Sequence, residues 1–109
     1  MKKLSWLLTL ILAATVINYP NPFNPVGGQA TTFECTSDTT TEALLYIYDM
    51  SARLMQRMNF NLQGGVTNKT GWDGYSYSNE IVGNGIYLYQ VVTTSGQRVG
   101  KGKIWVINQ

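Results

Sequence analysis

The chain of 109 residues is long enough for one domain, and it contains no histidine and a single cysteine, Cys35. One cysteine excludes an internal disulfide, and the lack of histidine removes the commonest general base and metal ligand. Eight basic and six acidic residues give a formal net charge of +2, which is not the strong basic excess expected of a nucleic-acid-binding protein.

The N-terminal segment has the pattern of a secretory signal peptide. Lys2 and Lys3 precede the apolar run LSWLLTLILAATV, residues 4–16, which ends in small residues. This pattern predicts a signal peptide over residues 1–16, cleaved near Ala14 to Val16, followed by a single exported domain over residues 17–109. The run is shorter than the roughly 20 residues of a membrane span, so an uncleaved anchor is the less favoured alternative. The chain is then expected to contact the membrane only during export, through its signal peptide.

The next stretch, NYPNPFNP, holds all three prolines of the chain within eight residues. Proline is excluded from helix interiors and central strands, and asparagine favours turns, so this segment is not the middle of a regular element. Tyr19 and Phe23 are predicted to be apolar anchors, and Asn21 and Asn24 are predicted to bond to nearby backbone. We expect the segment to lie across one end of the fold and to lead into the first strand.

The remaining chain has a β pattern throughout, with no sustained helical period. Turn sequences rich in glycine, aspartate and asparagine separate its apolar stretches. One segment, residues 75–81, is predicted to hold a short helical turn. Short strands at regular spacing indicate an all-β antiparallel sandwich or barrel. The predicted strands are residues 29–35, 43–48, 54–62, 66–72, 86–94 and 98–107.

The order of four motifs, YPNPFNP, IYDMSARL, WDG and GNGIYLYQV, resembles an immunoglobulin-like module found at the C-terminus of many secreted bacterial proteins. That module is related to the C-terminal domain of flagellar hook-capping proteins (the FlgD type) and to the C-terminal sorting domain of the type IX secretion pathway. The resemblance implies an immunoglobulin-like or fibronectin-III-like sandwich of about six or seven strands. The positions that carry it are Tyr19, Pro20, Asn21, Pro22, Phe23, Asn24, Pro25, Tyr48, Asp49, Trp72, Asp73, Gly74 and Gly85.

Two features depart from the family pattern. Ala52 stands where family members have glycine. A positive φ strains an alanine but not a glycine, so we expect the turn here to differ from that of the family. The last predicted strand carries Gly100 and Gly102, which indicate a bulge or a weakly specified edge. In the family the module usually ends a long cargo protein, so this chain is either the module alone or part of a longer protein.

Few residues are candidates for chemistry. Asp49 and Asp73 would be a general acid and base in an enzyme, but capping of their turns is the favoured interpretation. A weak calcium site at Asp73 is a minor alternative. Cys35 shares a strand face with Phe33 and is predicted to be buried and inert. Trp72 is predicted to anchor the core or a turn. We therefore predict no catalytic residue, no metal site and no cofactor.

Two tyrosine stripes are the candidate interface: Tyr46 and Tyr48 on one strand, and Tyr87 and Tyr89 on another. Exposed tyrosines suit protein interfaces, whereas the alternative is ordinary packing between neighbouring strands. Arg98, Lys101 and Lys103 cluster on the last strand. They either bind an acidic surface or glycan or, as we favour, protect an edge strand against aggregation.

These observations favour a non-enzymatic structural or interaction module that is exported to the cell surface or beyond. Its expected partner is a protein, either a second copy in a self-assembly or another surface or secretion component, and not a nucleic acid. The first alternative is a type IX sorting domain cut from a longer cargo protein. The second is a flagellar hook-cap scaffold, against which the signal peptide argues.

Overall fold

A computed structural model describes residues 14–109, which form seven strands in two antiparallel sheets and contain no helix. None of these residues therefore lies in a helix long and apolar enough to cross a membrane. The three-stranded sheet has the order β1-β2-β5, and the four-stranded sheet has the order β4-β3-β6-β7. The strands are β1 (Ala14–Tyr19), β2 (Thr31–Ser37), β3 (Ala43–Tyr48), β4 (Leu54–Asn59), β5 (Thr67–Trp72), β6 (Gly85–Thr93) and β7 (Arg98–Val106).

The core lies between the two sheets because alternate residues of the strands point inward. Strands β2, β3 and β6 alternate between buried and partly exposed positions, as a half-buried strand does. The rings of Phe33 on β2 and Tyr89 on β6 meet edge to face at 4.9 Å, and they join the two layers. The predicted all-β antiparallel sandwich of six or seven strands is therefore confirmed.

The first strand was not predicted from the sequence. β1 pairs with β2 from Ala14 to Tyr19, so it begins within the three residues where cleavage is predicted. The apolar run before it hides the strand, because residues 14–17 continue that run without an alternating pattern. The predicted signal peptide itself lies mostly outside the described residues, and it stays a prediction together with its cleavage.

The predicted helical turn at residues 75–81 is wrong. Tyr75 and Ile81 form an isolated antiparallel bridge, and the backbone N–H of Ser76 donates to the carbonyl of Glu80 at 2.8 Å. Asn79, with φ of 66°, reverses the chain between them. Asparagine tolerates this left-handed conformation, so a tight turn forms instead of a helix.

The predicted bulge in the last strand is confirmed. The register of β6 and β7 shifts between Val91 and Val92, which pair with Gly100 and Arg98 respectively. Both glycines of β7 allow close approach of a neighbour. A Cβ on Gly100 would lie 2.7 Å from Cγ2 of Val16, and one on Gly102 would lie 2.6 Å from the hydroxyl of Tyr89. These two positions therefore require glycine because a side chain has no space there.

The proline-rich segment connects β1 to β2 along the edge of β7. The backbone N–H of Phe23 donates to the carbonyl of Trp105 at 2.9 Å, and that of Ile107 donates to the carbonyl of Phe23 at 3.0 Å. The amide of Asn21 donates to the carbonyl of Lys103 at 3.0 Å and accepts from the N–H of Trp105 at 2.7 Å. The segment thus occupies the exposed hydrogen-bonding groups of half an edge strand.

Of the two predicted apolar anchors in this segment, Phe23 is confirmed and Tyr19 is not. Phe23 is buried, with 1% of its surface exposed, as expected of an anchor. Tyr19 is 39% exposed, so its predicted role as an apolar anchor is wrong. It shares the outward face of β1 with Thr15 and Ile17, and its hydroxyl donates to the carboxylate of Glu34. Asn24 bonds locally, accepting from the N–H of Gly27 at 3.0 Å.

Candidate interaction surface

Asp49 organises the turn after β3. Its Oδ1 accepts hydrogen bonds from the backbone N–H groups of Ser51 and Arg53, each at 2.9 Å. Its Oδ2 accepts from Nε of Arg53 at 2.8 Å. The Arg53 backbone bond is the main reason why the pKa of Asp49 is lowered, and the Arg53 side chain and the Ser51 backbone act in the same direction. The favoured interpretation of Asp49 as a turn cap is therefore confirmed.

The WDG motif joins the turn after β5 to the proline-rich segment. Oδ1 of Asp73 accepts from the N–H of Tyr75 at 3.0 Å, and Nε1 of Trp72 donates to the carbonyl of Tyr75 at 2.8 Å. Trp72 is 2% exposed and packs against Phe23, with 5.7 Å between ring centroids. Two motifs that lie about 50 residues apart in sequence thus meet in one cluster, and both have a structural role there.

Cys35 is buried, with no measurable exposure, on the inward face of β2 beside Phe33. Burial raises the pKa of its thiol, because the thiolate would lose its hydration. Both observations fit the predicted inert apolar side chain.

A cleft with a volume of about 400 Å³ lies beside the turn at Asp49. Part of its polar lining is engaged in hydrogen bonds, since the Ser76 and Ser78 hydroxyls are 2.8 Å apart and the Asp49 carboxylate bonds to Arg53. Among residues 14–109, no group of three histidine, cysteine, aspartate or glutamate side chains is placed to hold a metal ion.

The two tyrosine stripes have different environments. Tyr87 and Tyr89 are 7% and 3% exposed, because the odd-numbered residues of β6 face the core together with Val91. The hydroxyl of Tyr87 donates to the carbonyl of Gly83 at 2.8 Å, which satisfies it inside the protein. The prediction that Tyr87 and Tyr89 are interface residues is therefore wrong, and the alternative of packing within the fold applies to them.

Tyr46 and Tyr48 point outward from β3. They are partly exposed, and their rings stack with centroids 6.2 Å apart and planes 13° apart. In the sheet register, Tyr46 lies between Arg57 of β4 and Gln90 of β6. A pair of aligned rings on a sheet surface forms a rigid apolar platform.

The platform is the centre of a larger surface, which we call the outer face. At one end of this surface, Trp105 of β7 is 52% exposed, and its register partner Ile86 of β6 is 37% exposed. Sequence reasoning missed Trp105 and Arg57, although their strand parity relative to buried neighbours would have placed them here. The outer face comprises Leu44, Tyr46, Tyr48, Leu54, Arg57, Asn59, Ile86, Leu88, Gln90, Val92, Arg98, Lys101, Lys103 and Trp105.

The fold of residues 14–109 also occurs in other proteins of known structure. No family model and no curated protein matches this sequence. Dimeric latent PorU from Porphyromonas gingivalis contains a similar structure, with a TM-score of 0.75 and 26% identity over 89% of this chain. PorZ from the same organism, described as an essential surface component of the type IX secretion system, matches with a TM-score of 0.61 and 22% identity over 85% of the chain.

FlgD from Pseudomonas aeruginosa matches with a TM-score of 0.61 and 16% identity, over 88% of this chain and 74% of that protein. By contrast, the chain spans only 9% of the length of PorU and 11% of that of PorZ. These matches fit the resemblance drawn from the sequence motifs. They show that the all-β fold of residues 14–109 also occurs in FlgD and in a small part of PorU and of PorZ.

Proposed function

We propose that this protein is a non-enzymatic, exported interaction module that binds another protein through the outer face. The observation that carries the proposal is the stacked pair Tyr46 and Tyr48, held outward at the centre of a sheet whose other face is the core. Tyrosine and tryptophan bury large area at low entropy cost, and they are enriched where proteins bind each other. Export is supported by the predicted signal peptide and by the likeness to PorZ, a bacterial surface component.

A photo-cross-linking experiment tests this proposal. The full chain is expressed in its source cells with a benzophenone amino acid at position 46 and, as a matched control, at position 32 on the outward side of β2. We expect a discrete protein adduct from position 46 in the envelope or medium, and none from position 32. If position 46 gives no adduct, or if the protein stays in the cytoplasm, the proposal is wrong.

A second candidate function is a secretion or sorting domain of the type IX kind, belonging to a longer cargo protein. The likeness to a small part of PorU and of PorZ favours it over the hook-cap alternative, because the FlgD match rests on lower identity. Fusion of residues 14–109 to the C-terminus of a reporter, in a bacterium with that pathway, tests it. Surface display of the reporter that depends on the pathway would support this function, and retention in the periplasm would contradict it.

A further inference from the structure

The charged residues in the strands of the four-stranded sheet are all basic. Strands β3, β4, β6 and β7 contain no aspartate or glutamate, whereas they carry Arg57, Arg98, Lys101 and Lys103. In the described part of the chain the two ion pairs are Arg53 with Asp49 and Lys69 with Glu34, and neither uses these four cations. The sheet therefore presents four positive charges that the strands themselves do not balance.

These charges surround an apolar centre. Arg57 lies on the edge strand β4, and the other three cations lie on the opposite edge strand β7, with the apolar residues of β3 and β6 between them. Arg57 and Lys101 share one register row with Tyr46, so they lie roughly 14 Å apart across three strand spacings. An apolar centre with a polar rim is the usual anatomy of a protein interface.

From this arrangement we infer that the outer face binds a protein segment in which acidic side chains flank apolar ones. The inference rests on the proposed function and names the chemistry of the partner. Carboxylates would meet Arg57 on one side and Lys101 or Lys103 on the other, while apolar side chains cover Tyr46 and Tyr48. Complementary charge of this kind sets partner choice and the rate of association.

A second copy of the chain does not fit this face. Two copies related by a two-fold axis would present the same surface to each other, and their cations would be opposed at short range. An anionic glycan or nucleic acid also fits less well. Five residues of the outer face are aliphatic and three are aromatic, and a sugar or a base stacks on aromatic rings but leaves aliphatic side chains uncovered.

Selection from a library of random dodecapeptides, displayed on phage and panned on the full chain, tests the inference. We expect recovered peptides to combine aspartate or glutamate with leucine or aromatic residues. Synthetic versions should lose at least about tenfold in affinity for the variant Lys101→Glu/Lys103→Glu. Lys69→Glu, a reversal on the outward side of the other sheet at a side chain that is 59% exposed, should bind as the wild type does.

Trp105 reports the location of binding. Trp105 is 52% exposed, whereas Trp72 is 2% exposed. Peptide binding at the outer face should therefore change the tryptophan emission of the wild type and leave the emission of a Trp105→Phe variant unchanged. Circular dichroism confirms that each variant is folded. Recovery of neutral or basic peptides, or equal affinity for both charge reversals, would overturn the inference. So would binding of heparin or oligothymidine that is tighter than that of the peptides and equally sensitive to Lys101→Glu/Lys103→Glu.

The two experiments separate the two proposals. An adduct from position 46 whose yield is unchanged by Lys101→Glu/Lys103→Glu would leave the interaction function in place and refute the acidic partner. A missing adduct would refute the function itself.

Discussion

Gly74 lies directly against Pro25, so that a Cβ on Gly74 would be 2.4 Å from the Cβ of that proline. The glycine of the WDG motif and the last proline of YPNPFNP are therefore in contact, beside the buried ring of Phe23. Since Gly74 also has φ of 83°, its position requires glycine both for its backbone and for space. This contact gives one physical reason why the two motifs occur together.

We expect Gly74→Ala to lower the free energy of unfolding by about 3 kcal/mol, because the strain of a left-handed alanine adds to overlap with Pro25. Gly65→Ala is the matched control, since Gly65 has φ of 80° and open space around its Cβ direction. It should cost only the strain, about 1 kcal/mol. Urea denaturation measures both. Equal losses would mean that the Pro25 contact yields without cost.

The contact of Gly100 with Val16 predicts coupling between β1 and β7. In a protein that retains residues 14–109, Gly100→Ala should destabilise the fold, and Val16→Ala should relieve part of that loss, because it removes the Cγ2 atom 2.7 Å from the new Cβ. We expect a coupling free energy of about 1 kcal/mol in a double-mutant cycle. The control cycle pairs Val16→Ala with Gly102→Ala, whose new Cβ meets Tyr89 instead. That cycle should be additive, and additivity in both cycles would contradict the packing of β1 on β7.

Ala52 keeps a left-handed backbone, with φ of 66°, at the position where the resembled family has glycine. Alanine pays a steric cost in this conformation, so Ala52→Gly should stabilise the protein by about 1 kcal/mol despite the greater freedom of glycine when unfolded. Asn79 has the same φ of 66°, and Asn79→Gly should change stability much less, because asparagine tolerates the conformation. The urea midpoints of the two variants compare them directly, and a larger gain at position 79 would refute this reasoning.

The sequence was a good guide wherever one strand decides the outcome. The predicted bounds of residues 43–48 match those of β3, because polar residues flank this apolar run on both sides, and the turn role of Asp49 followed from its position after that strand. It was a poor guide where packing against the other sheet decides which face of a strand points toward the core. Both faces of β6 are apolar, so the pattern could not decide whether Tyr89 or Leu88 points inward.

Long-range bonds were beyond the reach of local patterns. Asn21 bonds to the backbone of Lys103 and Trp105, more than 80 residues away, and no local rule links them. The sequence indicated Tyr46, Tyr48 and the basic cluster of β7 separately, but their assembly into one outer face was missed for the same reason. Arg57 and Lys101 come to the two sides of Tyr46 only through the strand order of the four-stranded sheet.

The turn at Asp49 gives the protein an acid-sensitive contribution to stability. Because hydrogen bonds from Arg53 and Ser51 favour the carboxylate, the pKa of Asp49 in the folded protein lies below its ordinary value of 3.8. The stabilisation is then fully present above that ordinary value and is lost as the pH falls through the lowered folded pKa. Asp49→Asn should therefore be less stable than the wild type at pH 6, and the difference should shrink below about pH 4. Guanidinium titrations across this range would contradict the assignment if the difference stayed constant.

The separation of the tyrosines into core and surface predicts opposite effects of the same substitution. Tyr89→Ser should cost about 3–5 kcal/mol of unfolding free energy, since it empties a buried site against Phe33. Tyr46→Ser should cost less than about 1.5 kcal/mol, mainly the loss of its stacking on Tyr48.

Binding should show the reverse order. Tyr46→Ser should weaken the selected peptides while the protein stays folded, whereas Tyr89→Phe, which keeps the buried ring, should leave both stability and binding close to wild type. Urea denaturation and peptide titration on the same samples give both quantities. A Tyr46→Ser protein that loses as much stability as Tyr89→Ser would make Tyr46 a structural residue, and it would remove the centre of the proposed interface.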